Sequence, residues 1–560
     1  MKKQPANRLT RITRTRMTAL CLALLLSLSL AACSSGPPRV DEDASGGNAS
    51  RLPSATQPPS ISVPNIGYEN KDSMPAPEYN DGYYDNFYDR SAGESYLAID
   101  ENRQRQTANS PAMTFSLKVD TAAYSNIERY ITGGQLPPAD AVRIEEMLNY
   151  FRYDAPMPPS DHPFSIYTEI GPSPFDDSKH MALVRVKSRD IDKDLLPPSN
   201  LTFLIDTSGS MGDYDKLPLL QDAFALLVDT LDEDDTVSIV TYAGSSAVLL
   251  DGVRGDQRET ILNAIASLTA GGSTAGAQGI QTAYALAEKN HRLGGNNRVI
   301  LATDGDFNVG VSSLDGLNKL ISQQRDSGVY LSVLGFGAGN LDDATMETLA
   351  ANGNGNYSYI HTLATAKKVL VDELAANLYT IADDVKAQIE FNPDNVEAYR
   401  LIGYENRTLE NRDFEDDAKD AGDIGMDTDT IILLELTLRG SGDDAATLKY
   451  PGNQPSNDAA PNYADELFEV RIRYKNPGQS QSRLMLHPVA CEATPAANSA
   501  DYGFACAVAS FGHLLRQSPY SGKATLDAAM NAARANLGED AGGYRIAFLD
   551  LLRRYQGIVQ

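Results

Sequence analysis

Between Leu201 and Tyr379 the chain alternates short apolar runs with stretches of helical period. The runs Leu201–Ile205, Thr236–Tyr242, Ala247–Leu250, Arg298–Ala302 and Val329–Phe336 are rich in branched and aromatic residues, as strands covered on both faces require. Between them, Leu217–Leu231, Arg258–Leu268, Ala275–Asn290 and Leu314–Ser327 return apolar residues every three or four positions. Ala364–Tyr379 closes the series as a further helix. This rhythm predicts an α/β fold, a doubly wound, Rossmann-like unit on a mostly parallel sheet. Ala247–Leu250 follows its neighbour so closely that an antiparallel edge hairpin is expected there.

The rhythm changes on either side. Before the α/β segment come a strand pattern at Met113–Val119, helices at Tyr124–Ile131 and Ala139–Phe151, and strands at Phe164–Ile170 and Met181–Val186. After it come strand patterns at Val385–Phe391, Val396–Tyr404, Thr430–Leu438, Leu467–Tyr474 and Ser482–His487. Helical patterns at Tyr502–Arg516, Lys523–Leu537 and Tyr544–Tyr555 end the chain. Few strands before and many after suggest one joint β-sandwich-like region, with C-terminal helices, into which the α/β unit is inserted. The expected segments are 1–32, 33–110, 111–197, 198–380 and 381–560.

The first two segments read differently from the rest. Six basic residues and no acid precede an apolar run from Met17 to Ala32, a secretory leader too short to be a comfortable membrane span. It ends at Leu30-Ala31-Ala32-Cys33, which resembles the lipobox of bacterial lipoproteins. That resemblance implies cleavage before Cys33, acylation of its thiol and, with Ser34 following, an outer-membrane anchor facing the periplasm or the surface. From Ser34 to about Ser110 the composition turns to Pro, Gly, Ser, Asn and Asp, which cannot bury a core. It reads as a flexible tether with an r.m.s. reach of roughly 50 Å.

Removing the leader leaves 42 basic against 75 acidic residues, so the net charge moves from −27 to −33. Nucleic acid is excluded as a partner on that balance. Cys491 and Cys506 are then the only thiols besides Cys33. In a disulfide-permissive compartment they can form a bridge, while a small buried Cys506 within its helical pattern is the alternative.

The candidate chemistry sits where strands of a doubly wound sheet should end, which is where such folds collect ligands. Asp206-Thr207-Ser208-Gly209-Ser210 follows the first strand, Gly271-Gly272-Ser273-Thr274-Ala275-Gly276 precedes a helix, and Thr303-Asp304-Gly305-Asp306 follows a later strand. Carboxylate and hydroxyl oxygens with no nearby Cys or His suit a hard dication: magnesium first, manganese or calcium as alternatives. Gly209, Gly272 and Gly305 offer tight backbone paths that let those oxygens converge.

These three loops resemble the metal-ion-dependent adhesion site (MIDAS) of von Willebrand factor type A domains, Asp-x-Ser-x-Ser followed by a loop Thr and a later Asp. The resemblance implies that Ser208, Ser210 and Thr274 bind the ion by hydroxyls and that Asp206 and Asp304 bind directly or through water. It also implies an exchangeable coordination position, filled in that family by a Glu or Asp of a partner protein. More widely, Thr114-Phe-Ser-Leu-Lys-Val-Asp-Thr-Ala-Ala-Tyr124 and Leu401-Ile-Gly-Tyr-Glu-Asn-Arg407 resemble bacterial lipoproteins of the YfbK type.

Competing readings are weaker. Asp206-Thr207-Ser208-Gly209 lacks the second copy that an aspartic protease needs, and neither Ser208 nor Ser210 lies in a Gly-x-Ser-x-Gly elbow. The six His are scattered, and Gly335-Phe-Gly-Ala-Gly339 reads as a loop beside the metal crest rather than a dinucleotide turn. Asp413–Asp429 carries eight carboxylates without EF-hand spacing and reads as a solvated loop, with weak calcium binding as its alternative. The expectation is a lipid-anchored, non-enzymatic protein-binding module with neither a small-molecule substrate nor catalytic residues. A structural or assembly factor of the envelope, the metal only bracing loops, is the alternative, and a metal-assisted hydrolase comes last.

Overall fold

The computed structural model describes residues 93–118, 120–158, 162–192, 195–273, 276–305, 314–440, 463–491 and 497–560. The leader, Cys33 and all but the last residues of the tether lie outside the described residues, as does Thr274. Among the described residues no helix is long and apolar enough to cross a membrane.

Six strands build the α/β sheet, in the order Tyr357–Ile360, Tyr330–Phe336, Asn296–Thr303, Ser199–Asp206, Thr236–Tyr242, Ser246–Arg254. The first five run parallel and the sixth is antiparallel to its neighbour, as the short spacing after Tyr242 requires. Successive side chains point to opposite faces, so one strand feeds two cores. Phe203 and Ile205 pack with Leu220, Phe224 and Ile261, whereas Leu204 packs with Ile280, Leu301 and Tyr242. Both faces are thereby covered by helices, and the architecture is the expected doubly wound one.

Two elements of this unit were not expected. A helix spans Asp343–Asn352, with Asp342 accepting the Thr345 amide at its N-cap, and the edge strand Tyr357–Ile360 follows it. Its apolar contacts come from Met346 and Leu349 among threonines and alanines, too sparse a stripe to stand out in sequence. The closing helix is also interrupted: Leu363–Lys367, a wider turn at Lys368–Asp372, then Leu374–Leu378.

The chain then leaves through the long strand Thr380–Phe391 into a sandwich of two antiparallel sheets. One sheet runs Arg105–Gln106, Val396–Ile402, Asp429–Leu438, His180–Ser188, Phe164–Pro172. The other runs Thr408–Leu409, Ala112–Ser116, Thr380–Phe391, Glu466–Lys475, Ser482–Ala490. Each sheet thus takes strands from both sides of the α/β unit. Phe115, Val184, Ile389, Leu434 and Ile472 fill the space between them. On the outer face of the first sheet Leu183 and Leu433 pack under Phe504, Phe511 and Phe548 of the C-terminal helices, giving a third layer.

A buried ionic seam ties this body to the α/β unit. Arg143 grips Asp343 with two hydrogen bonds of 2.6 and 3.2 Å and Glu146 with two of 2.5 and 3.4 Å. Arg407 donates to Asp120 at 2.9 Å and to Glu347 at 2.8 Å, and Lys118 lies 3.0 Å from Asp120. The seam explains why the helix expected over Ala139–Phe151 is broken. Arg143 is extended at φ −90° and ψ 108° to reach Asp343, and the helix restarts as Ile144–Asn149.

Two more expectations change. The acidic stretch is not uniformly solvated: Gly422–Gly425 pairs with Thr380–Phe391, and the desolvation of the half-buried Asp423, with the charges of Asp383 and Asp384 adding, pushes its pKa up. Cys491 and Cys506 are not bridged. Cys506 is buried in the helical layer, which pushes its thiol up to about 12, whereas Cys491 is exposed beyond the last strand.

Candidate metal centre

Asp206 is the last residue of its strand and is wholly buried. Its Oδ1 accepts the Ser208 amide at 2.8 Å, and its Oδ2 accepts the Tyr242 hydroxyl at 3.1 Å and the Thr303 hydroxyl at 3.2 Å. Both donors come from neighbouring strands, so parallel pairing itself aims the carboxylate. Burial raises its pKa; the Ser208 bonds oppose that, and the charge of Asp304 adds to it.

The turn after Asp206 presents the hydroxyls. Ser208 Oγ and Ser210 Oγ lie 3.0 Å apart, and the Ser210 hydroxyl is close enough to the Asp304 carboxylate to help hold its pKa down. This turn is knitted to the next loop by backbone: the Gly209 amide donates to Gly272 O at 3.0 Å and the Gly271 amide to Thr207 O at 2.8 Å. Gly272 and Gly305 take the left-handed conformation, φ +89° and +99°, that their loops need, whereas Gly209 does not. A Cβ on Gly305 would fall 2.4 Å from the Asp342 amide nitrogen.

Asp304 is buried like Asp206 but differently partnered. Lys216 Nζ lies 3.0 Å from its Oδ2 and donates to Asn340 Oδ1 at 2.9 Å. Burial would raise the Asp304 pKa, but the hydrogen bonds from Asn340, Lys216 and Ser210 and the ammonium charge hold it below its ordinary value. Four of the five sequence-predicted residues, Asp206, Ser208, Ser210 and Asp304, therefore share one linked cluster. The fifth, Thr274, is outside the described residues, one position beyond the exposed Ser273.

The sequence did not flag Lys216, Asn340 or Tyr242, and it gave Thr303, though part of the third loop, no role of its own; each is recruited by the fold. The glycine-rich loop Gly335–Gly339 does lie beside the crest, where Gly337 packs on the Lys216 stem. That loop is pinned from the N-terminal side: the Gly339 amide donates to Glu94 Oε1 at 2.8 Å, the Ser95 amide to Leu341 O at 2.9 Å, and the Ser95 hydroxyl to Asp342.

The residues fit a hard cation by donor chemistry. Ser208 and Ser210 supply two hydroxyls, while both oxygens of Asp206 are already engaged by donors, as a carboxylate acting behind water would be. Among the described residues no group of three or more His, Cys, Asp or Glu is placed to hold a metal. The mouth is open. Gly244, Ser245, Gly271, Gly272 and Ser273 are exposed and uncharged, and Tyr214 stands 87% exposed on the turn after Ser210. By contrast, a cleft of about 1560 Å³ lined by Ser199, Asp235, Tyr379 and Arg545 opens at the amino ends of the strands, away from this chemistry.

Comparison with known proteins bears on the family and the fold. The von Willebrand factor type A domain model matches residues 200–373, a von Willebrand factor model matches 90–185, and the model for the C-terminal region of the uncharacterized protein YfbK matches 376–558. The uncharacterized protein YfbK of Escherichia coli is 43% identical over 471 residues, covering 83% of this chain and 81% of that protein. An uncharacterized protein of Synechocystis is 25% identical over 331 residues, covering 56% of this chain and 70% of its own. The solved von Willebrand factor type A protein of Catenulispora acidiphila has a TM-score of 0.39 at 15% identity, covering 70% of this chain and 91% of its own. Type A domains serve in general as protein-interaction modules. With its α/β unit and both flanks matched, the chain belongs to the YfbK family of von Willebrand factor type A domain proteins.

Proposed function

We propose that this chain is a lipid-anchored module of the outer membrane, outside the cytoplasm, that captures an exposed Asp or Glu of a partner protein through a divalent cation. Magnesium is the first choice, manganese or calcium the alternatives. The observation that carries the reading is the cluster of Asp206, Ser208, Ser210 and Asp304 beside the exposed, uncharged residues Gly271–Ser273. Ser208, Ser210 and Thr274 would hold the ion by hydroxyls, with Asp206 and Asp304 behind them. A dication held mainly by neutral oxygens supplies unneutralised charge for an anionic ligand. The exposed, uncharged stretches Gly244–Ser245 and Gly271–Ser273 give an acidic side chain a side from which to approach a chain whose net charge is −27 before leader removal.

Pull-down from envelope extracts, with and without chelator and with Asp206→Ala, tests it. Capture should need both the metal and the carboxylate; capture indifferent to both removes the mechanism. Cys33→Ala should move the protein from the membrane to the soluble fraction, and unchanged fractionation would remove the anchor.

The alternative, an envelope assembly factor in which the ion only braces the loops, has less support. The first two loops are already joined by direct backbone hydrogen bonds, so an ion is not needed to hold them. Thr274→Ala separates the readings, since it should weaken partner capture if the ion is the contact and spare it if the ion is a brace. Turnover of peptides or phosphoesters lost in Ser208→Ala would instead favour a hydrolase.

A further inference from the structure

We infer that Lys216 is a built-in counter-cation of the metal centre: its ammonium offsets one of the two carboxylates, loosening the metal but leaving it the charge that attracts an acidic ligand. This rests on the metal reading above. Lys216 is buried, and buried lysines are rare unless paired. Its partners are Asp304 Oδ2 at 3.0 Å and Asn340 Oδ1 at 2.9 Å.

The side chain is aimed. Its amide bonds Asp213 O at 3.1 Å, and its carbonyl accepts the Leu220 amide at 2.8 Å at the start of the helix Leu217–Val228. Its stem lies against Gly337, at φ +71°, where a Cβ would fall 2.3 Å from Lys216 Cγ. Any other residue there would displace the lysine. Asn340, on the far side, belongs to the loop pinned by Glu94 and Ser95.

Charge counting gives the consequence. Asp206 and Asp304, though set behind the hydroxyls, formally balance a dication, so without a counter-cation only its incomplete local screening would be left to attract an anion. With Lys216 the filled site carries one net positive charge. A unit charge within about 6 Å at an effective dielectric constant of about 20 changes an affinity by tenfold or more.

The test is calorimetric titration of Mn2+ into the full chain as wild type, Lys216→Met, Lys216→Arg and Asp206→Ala. Lys216→Met should bind Mn2+ at least about tenfold more tightly, Lys216→Arg should stay near wild type, and Asp206→Ala should lose binding. In the metal-loaded proteins acetate, followed by water-proton relaxation, should bind Lys216→Met about tenfold more weakly. Melting gives a second readout: metal should raise the melting temperature of Lys216→Met more than that of wild type, because it replaces the charge that Asp304 has lost. Wild-type binding with no gain in folded Lys216→Met overturns this inference and leaves the metal reading standing. No Mn2+ binding by folded wild type or Lys216→Met overturns both.

Discussion

The seam and the crest are both clusters of buried carboxylates, and they differ in what faces them. At the seam, Asp343, Glu146, Glu347 and Asp120 meet Arg143, Arg407 and Lys118. Guanidinium forks engage most of those oxygens from rigid positions, with Glu347 Oε2 left 3.9 Å from Arg143, so little is left for a ligand. At the crest, Asp206 and Asp304 meet one ammonium and several hydroxyls, with an open mouth above. Hydroxyls can turn and can share a cation. The same raw material thus gives a closed joint in one place and an exchangeable site in the other.

The comparison can be broken most forcefully at the seam. Arg143→Ala should lower stability by about 3–5 kcal/mol, because it strands buried carboxylates, while Mn2+ affinity of the folded fraction stays unchanged. Urea unfolding and calorimetry check this, and an equal loss of metal affinity would mean that the two clusters are one unit. Asp206→Ala should have the converse effect. It should abolish metal-dependent stabilisation, about 2.7 kcal/mol at a hundredfold excess over Kd, in melts with magnesium against chelator.

A smaller effect concerns pH. Burial, with the nearby charge of Glu405 adding, pushes Glu145 up to about 7 from 4.5. The folded chain therefore holds a proton there that the unfolded chain has lost, and stability falls as pH rises from about 4.5 through 7. Glu145→Gln should flatten that fall and add roughly 1–2 kcal/mol at pH 8, read from urea midpoints. A slope unchanged by the substitution would place the titration elsewhere. Tyr214→Ala should touch the fold least, within about 0.5 kcal/mol, yet reduce partner capture several-fold. Full capture by that variant would take Tyr214 off the contact surface.

Periodicity carried the architecture because the inner α/β strands are covered on both faces and read as unbroken apolar runs, unlike the largely exposed edge strand Ser246–Arg254. Leu201–Ile205 and Arg298–Ala302 were visible for that reason. Asp343–Asn352 was not, since its inward side is Met346, Leu349 and alanine, and its identity is decided by Arg143 some 200 positions away. The site divides similarly. Asp206, Ser208, Ser210 and Asp304 stand in a local motif, whereas Lys216 and Asn340 become partners only when the Gly337 loop folds over the lysine.

The pinning of that loop has a mechanical consequence. Ser95 and Asp342 form an isolated parallel bridge, and Glu94 holds Gly339. A pull on the chain from the side of Gly93 would be carried first by these few bonds, before any load reached the strands of the sandwich. The segment they release carries Asn340. Force applied at that end would therefore be felt at the lysine beside the metal centre well before it threatened the fold.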